Sequence, residues 1–177
     1  MRAAVVLVVV ALAASSVALA AQAGVQLPAS DVEAAYLYQL TKYVEWPAPA
    51  SESSDVTVCV AGDAGVASAL EQIAREDSGA GHKVTVRQDP DPSRAGDCGV
   101  LFVGRSAEPR FAQVPKALDG RATLIVGHDA PFLRRGGMVA FLVQDRNIRF
   151  SVNLAAAQTA HLKISSQLLR HAVQVLQ

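Results

Sequence analysis

Residues 56–63 read VTVCVAGD, and they give the clearest indication of the fold class. The short apolar run at 56–60 predicts a buried strand, and the Ala-Gly-Asp that follows predicts its end. Apolar residues at helical spacing then predict a helix over 66–75. Two later stretches end in the same way, with a glycine and then polar side chains: VGRS at 103–106 and VGHD at 126–129. Strands that alternate with helices are typical of an α/β domain.

The remaining elements complete this pattern. Ser30, with Glu33 three residues further on, predicts a helix that begins with a capping box, and Trp46-Pro47 predicts the end of that helix. Further strands are predicted at 83–87, 98–103, 122–126, 138–143 and 148–152, and further helices at 108–118, at 154–160 and from Ser165 onward. The last two strands form a hairpin through 144–147. We therefore predict a single α/β domain with a mixed, mostly parallel sheet flanked by helices, a late β-hairpin and C-terminal helices.

The first residues have the pattern of a cleavable signal peptide. Arg2 gives a positive start, residues 3–14 are almost wholly apolar, and Ala20 and Ala23 offer two cleavage positions, of which we favour the second. The competing interpretation is a membrane anchor, which needs about 20 apolar residues. Polar residues within 15–22 weaken that interpretation. We therefore predict cleavage and export to the periplasm.

A signal peptide over residues 1–23 leaves a domain of residues 24–177, which is an ordinary size for a single domain. The sequence has 16 Lys and Arg against 16 Asp and Glu, so its formal net charge is zero. Such a balance gives no strong field toward nucleic acid or an acidic membrane surface. Together with export, it argues against nucleic acid as a partner.

The chain has two cysteines, Cys59 and Cys98. An even count in an oxidising compartment favours a disulfide, although two buried free thiols remain the alternative. The bridge would close a loop that contributes about 4 kcal/mol in the chain-entropy description.

Polar side chains follow three of the predicted strands, at Asp63, Arg105, Ser106, His128 and Asp129. In open α/β sheets, ligands bind beyond the carboxyl ends of the strands, so these residues could line a crevice for a small ligand. The alternative is that they are ordinary turn residues.

The sequence contains none of the common catalytic or nucleotide-binding motifs, such as Gly-x-Ser-x-Gly, His-Glu-x-x-His or the Walker A loop. Its histidines are scattered, and no histidine stands at ligand spacing beside a cysteine. We therefore expect no catalytic residue, no metal site and no cofactor.

Three residues are candidates for contact with another protein. Tyr38 and Trp46 belong to an aromatic-rich first helix, and these residue types are frequent at the centres of protein interfaces. Tyr38 points away from the apolar face that carries Tyr36 and Tyr43, which predicts that it is exposed. Arg149 is a local basic position in the hairpin. The alternative is core packing for the aromatic residues and a solvated surface for Arg149.

Three segments, taken together, resemble the YfiR family of exported bacterial proteins. EAAYLYQLTKYVEWP at 33–47 is similar to the opening helix of the family, GGMVAF at 136–141 with NIRFSVNL at 147–154 to its late hairpin, and LKISSQLL at 162–169 to its closing helix. The order and spacing of the segments also fit, over nearly the whole of residues 24–177.

The resemblance implies a non-enzymatic periplasmic regulator. A family member of this kind forms a dimer and represses a membrane-bound diguanylate cyclase by binding its periplasmic region. Cys59 and Cys98 resemble the first disulfide of the family, whereas the second cysteine pair is missing from the hairpin region. The resemblance thus implies a membrane signalling protein as partner and a homodimer. Because the second pair is missing, the resemblance does not extend to redox control.

Overall fold

The computed structural model describes residues 27–48, 55–77, 83–118, 120–144 and 147–177. The predicted signal peptide at 1–23 lies outside the described residues, as do residues 49–54 and 78–82, which the sequence predicts to belong to loops.

Seven helices and nine strands are assigned within the described residues. The helices are α1 (Ala29–Tyr43), α2 (Ala64–Glu76), α3 (Glu108–Phe111), α4 (Val114–Ala117), α5 (Asp129–Arg134), α6 (Leu154–Thr159) and α7 (Ser166–Leu169). The strands are β1 (Val44–Glu45), β2 (Val56–Ala61), β3 (Val84–Gln88), β4 (Val100–Val103), β5 (Leu124–His128), β6 (Val139–Gln144), β7 (Asn147–Asn153), β8 (Lys163–Ile164) and β9 (Gln174–Leu176). Short 3-10 helices precede and follow β4, at Pro92–Asp97 and Arg105–Ala107.

The main sheet has the strand order β3-β2-β4-β5-β6-β7-β9. The first five strands of this order are parallel, β7 runs antiparallel to β6, and β9 runs parallel to β7. A separate antiparallel pair joins β1 to β8. The prediction of a mixed, mostly parallel sheet with a late hairpin is therefore confirmed.

Helices cover both faces of this sheet. Tyr36 of α1 packs against Phe141 and Phe150, with ring centroids 5.8 and 5.7 Å away, so α1 lies on the face that these rings form. Gly127 points to the opposite face, because side chains alternate along a strand. A Cβ atom there would clash with the ring of Phe132 on α5, so only glycine lets α5 pack this closely.

The predicted start of the first helix needs a correction. The helix begins at Ala29 with Pro28 at its N-cap, and no side chain caps it. Glu33 makes no capping box, because its carboxylate reaches into the core, as described below. The helix also ends earlier than Trp46-Pro47, since Val44 and Glu45 pair with β8.

The predicted helix over 108–118 is two single turns, α3 and α4, and the second of them carries Pro115 in its first turn. Pro115 has no backbone N–H to donate to the carbonyl of Phe111, four residues earlier, so the helix is interrupted between α3 and α4.

The C-terminal end also differs from the prediction. The closing helix is only the single turn of α7, and the chain then enters the sheet as β9. The backbone N–H of Val173 donates to the carbonyl of Phe150 at 2.9 Å. The apolar residues of 168–176 fit a helix period, but 174–176 form a strand because they pair with the edge of β7 that β6 leaves free.

The disulfide between Cys59 and Cys98 is present, with Cα atoms 5.8 Å apart. Cys59 is buried in the middle of β2, and Cys98 precedes β4, the neighbouring strand. The bridge therefore joins two adjacent parallel strands across a sequence separation of 39 residues.

We predict that the variant Cys59→Ala/Cys98→Ala loses about 4 kcal/mol of unfolding free energy, because the unfolded chain is no longer constrained by the loop. Chemical denaturation of both proteins measures this difference. A reductant should destabilise the wild-type protein toward the level of the variant and leave the variant unchanged. The prediction would be contradicted if reductant, added under conditions in which the unfolded wild-type chain is accessible to it, left the unfolding free energy of the wild-type protein unchanged.

Candidate functional site

The carboxyl ends of β2 and β4 form the point where the strand order reverses. The chain runs from β2 to β3 on one side and then crosses back over β2 to β4 and β5. Doubly wound sheets of the flavodoxin-like order bind ligands at this place. The loops that begin at Gly62 and Gly104 meet here, and they carry three of the predicted crevice residues, Asp63, Arg105 and Ser106.

The two loops are held in direct contact. The hydroxyl of Ser106 donates to the carbonyl oxygen of Gly62 at 2.6 Å. A Cβ atom on Gly104 would lie 2.9 Å from the carbonyl oxygens of Ala61 and Gly62, so glycine is required for this approach. Gly62 itself has a φ of 71°, which favours glycine. Ser106 thus closes the space between the loops.

Asp89 completes this contact, and the sequence analysis missed it. Its carboxylate accepts the backbone N–H of Gly62 at 2.8 Å and lies 3.4 Å from the guanidinium of Arg110. Asp89 directly follows β3, so the signal that marked the other strand ends, a polar residue after a strand, was present there as well.

Asp63 has a local structural role. Its side chain accepts the backbone N–H of Val66 at 3.0 Å and caps α2. A capping aspartate satisfies a donor that the helix leaves unpaired.

Arg105 and Asp129 pair with each other. The guanidinium of Arg105 donates to both carboxylate oxygens of Asp129, at 2.7 and 3.5 Å. This hydrogen bond lowers the pKa of the Asp129 carboxyl and raises the pKa of Arg105. Asp129 has a φ of 66°, a conformation that aspartate tolerates better than most residues. Both side chains are about half exposed, so the pair is a surface ion pair at the ends of β4 and β5.

His128 does not face the predicted crevice. Its side chain is 7% exposed, and its Nε2 lies 3.1 Å from Oε1 of Glu33 on α1. The ring packs edge-on against Phe102 and Phe141, at centroid distances of 5.3 and 6.4 Å. Nδ1 is buried and has no hydrogen-bond partner among the described residues. His128 is therefore part of the core between the sheet and α1.

Glu33 is the second site residue whose role the sequence analysis missed. It precedes Leu37 and Leu40 by four and seven residues, which is the spacing of one helix face, and both leucines are buried. A carboxylate on a buried helix face requires a partner, and that requirement was the available signal.

The structure corrects the predicted exposure of Tyr38. Tyr38 is 4% exposed, because α1 packs against α2 as well as against the sheet. Its hydroxyl donates to Asp77 at 2.6 Å, and burial together with this hydrogen bond raises the pKa of Tyr38. Tyr38 therefore holds α1 against the end of α2 and is not available as an exposed anchor.

The other two candidates for partner contact differ in exposure. Trp46 is half-buried, and its Nε1–H donates to the carbonyl of Gly99 at 3.3 Å, next to the disulfide. Arg149 is exposed on β7.

Within the residues that the structure describes, no group of three or more His, Cys, Asp and Glu side chains is arranged to hold a metal ion. In the same part of the chain, no helix is long and apolar enough to cross a bilayer.

The YfiR/HmsC-like family matches residues 30–173, which span α1 to the residue before β9. The chain belongs to the YfiR/HmsC-like family. This confirms the resemblance that the three sequence segments indicated, and it assigns the chain to a family of periplasmic regulatory proteins. Among the curated proteins, no sequence matches the chain.

Two solved structures share the fold of this YfiR/HmsC-like protein. One is the ABC domain from Streptococcus pneumonia in complex with L-Trp, with a TM-score of 0.53 and 12% identity over 83% of this chain and 60% of that chain. The other is a conserved domain protein from Vibrio cholerae, with a TM-score of 0.54 and 10% identity over 85% of this chain and 61% of that chain. The chain thus spans about three fifths of each structure. At this identity the likeness concerns the α/β fold alone.

We predict that Glu33→Ala destabilises the protein by about 1–3 kcal/mol, because buried His128 loses the partner of its Nε2. Alanine has the higher helix propensity, so helix formation alone would give the opposite sign. Gln39→Ala, at an exposed position of the same helix, is the matched control, and Glu33→Gln keeps an acceptor oxygen. Equal denaturation midpoints for the Glu33→Ala and Gln39→Ala variants would show that the pair contributes nothing to stability.

Proposed function

We propose that this protein is a non-enzymatic periplasmic regulator that restrains a membrane-bound diguanylate cyclase, or a similar signalling protein, by binding its periplasmic region. The observation that carries the proposal is the family match over residues 30–173, almost the whole of the predicted domain. The disulfide between Cys59 and Cys98 supports an oxidising compartment such as the periplasm. A cleaved signal peptide over residues 1–23, a domain of residues 24–177 and a homodimer are parts of the same proposal.

The chemistry at the strand ends also supports a binding role. Arg105 and Asp129 neutralise each other, Asp63 caps a helix, and Ser106 is bound to the neighbouring loop. Catalysis requires groups that converge on a reacting atom, whereas these groups converge on one another. A repressor that acts by binding needs an accessible surface and no such centre.

Deletion of the gene in its native bacterium should raise cyclic di-GMP, because the restrained cyclase becomes active. Restoring the full-length gene should lower it again, and a gene that lacks codons 2–23 should fail to do so, since its product stays in the cytoplasm. Cross-linking with tagged protein should capture an inner-membrane protein that has a periplasmic domain. If the parent strain expresses the protein and the deletion strain has the same cyclic di-GMP level, the proposed regulation of a cyclase is refuted.

A small-ligand-binding protein is the alternative function. Its support is the position of Arg105, Ser106 and Asp129 at the carboxyl ends of β4 and β5, beside the point where the strand order reverses. The structure from Streptococcus pneumonia contains L-Trp, so amino acids are a reasonable first panel of ligands. A ligand would have to displace Arg105 from Asp129, and for this reason we place this function second.

Thermal shift with a panel of amino acids, including L-Trp, tests the alternative. An amino acid that raises the melting temperature of the wild-type protein should raise that of Arg105→Ala less. Arg134→Ala, which removes an exposed arginine on α5, is the control and should respond like the wild type. Equal responses of all three proteins would exclude a site at Arg105.

A further inference from the structure

Acidic side chains are distributed unevenly along the chain. Residues 147–177 contain no Asp or Glu, yet they contain Arg149, Lys163 and Arg170 together with two histidines, His161 and His171. All five of these basic side chains are exposed. The net charge of the whole sequence is zero, so this positive end is balanced by acidic residues elsewhere.

Three of these basic residues lie beside the last strand of the sheet. β9 is the end of the strand order, so one of its edges pairs with β7 and the other has no neighbouring strand among the described residues. The backbone N–H of Val173, directly before β9, donates to the carbonyl of Phe150, and Arg149 is the residue before Phe150. Arg170 and His171 lead into Val173 from α7. We call β9 with Arg149, Arg170, His171 and Val173 the tail edge.

The charges of the tail edge have no partners within the described part of the molecule. Neither Arg149 nor Arg170 has a carboxylate within 4.0 Å there, in contrast to Arg105, Arg110 and Arg135, each of which forms an ion pair. Val173 adds an apolar contact, since 49% of its surface is exposed. An open strand edge with unpaired charge and an exposed valine is a surface to which an extended segment can add.

We propose that the tail edge is the surface through which the protein holds its partner, and that the partner supplies an extended segment rich in Asp and Glu. This inference rests on the proposed binding function and names the surface and the chemistry of the partner. Main-chain hydrogen bonds to β9 provide affinity, and carboxylates facing Arg149 and Arg170 provide orientation and charge complementarity.

A second copy of the chain and a lipid surface fit the tail edge less well. Two tail edges would bring like charges together, and the opposite edge strand, β3, is also basic because of exposed Lys83 and Arg87. Anionic lipid headgroups would pair with the arginines but would leave the strand edge without partner strands. An acidic protein segment satisfies both features.

The decisive experiment measures the affinity between the mature protein and the purified periplasmic domain of the protein that cross-linking captures. Arg149→Glu/Arg170→Glu should raise the Kd about tenfold or more, because two attractive contacts become repulsive. Arg87→Glu/Arg134→Glu is the matched control: it makes the same charge change at exposed positions on β3 and α5 and should leave the Kd within about twofold. Both variants should keep the wild-type melting temperature, since none of the four side chains is buried or ion-paired in the described structure.

Charge-swap rescue distinguishes a direct contact from an indirect effect. A partner in which the facing Asp or Glu residues are replaced by Lys should bind the Arg149→Glu/Arg170→Glu variant better than it binds the wild type. If both double variants bind the unmodified partner with equal affinity, the tail edge is not the partner surface, and the proposed function is unaffected. Failure of the wild type to bind any captured periplasmic domain would overturn the proposed function itself.

Two further measurements decide between the tail edge and its rivals. The first is sedimentation with vesicles of phosphatidylcholine and phosphatidylglycerol. If the wild-type protein sediments with the vesicles and Arg149→Glu/Arg170→Glu does not, while the variant still binds the partner, the surface binds lipid and the proposal is overturned. The second is the oligomeric state. A wild-type dimer that dissociates only in Arg149→Glu/Arg170→Glu would show that the tail edge binds a second copy of the chain, and this would also overturn the proposal. We expect neither vesicle binding nor a change in oligomeric state.

Discussion

The packing of α1 over an aromatic face of the sheet positions the other elements of the fold. Phe102, Phe141 and Phe150 form this face, and Tyr36 of α1 closes it. His128 lies among these rings and is almost entirely buried, so its polar ring would be costly to bury without a partner. Glu33 provides that partner from α1. The position of α1 then fixes the small β1–β8 pair and the contact between Tyr38 and the end of α2.

The carboxyl ends of β2 and β4 lie at the place where an α/β sheet of this order commonly binds a ligand. Here the groups that could bind one are engaged with each other. Ser106 ties the loop after β4 to the loop after β2, and Asp129 neutralises Arg105. The fold has therefore kept the position of a ligand site while its polar groups serve to hold loops together. This arrangement fits a family whose members act as regulators.

The proposed partner surface lies at the other end of the sheet, where the distribution of charge is uneven. The last strand is an open edge, and the segment from 147 onward is free of carboxylate side chains. The disulfide joins β2 to the approach to β4, on the other half of the sheet from β9. Structural reinforcement and the proposed partner surface thus occupy different parts of one sheet, which permits changes in the surface with little effect on stability.

Strand runs and glycine endings are local signals, and they were sufficient to predict the fold class, the mostly parallel order and the hairpin. The sequence favoured a disulfide between Cys59 and Cys98 but left two free thiols open, and the structure contains the disulfide. Three features followed from the folded structure and not from these signals: Glu33 turns inward to His128, Tyr38 is buried against α2, and 174–176 joins the sheet as a strand. Each of these outcomes depends on which distant segment lies opposite. Local periodicity records whether a residue suits a helix or a strand, whereas burial and pairing depend on surfaces that meet only when the chain has folded.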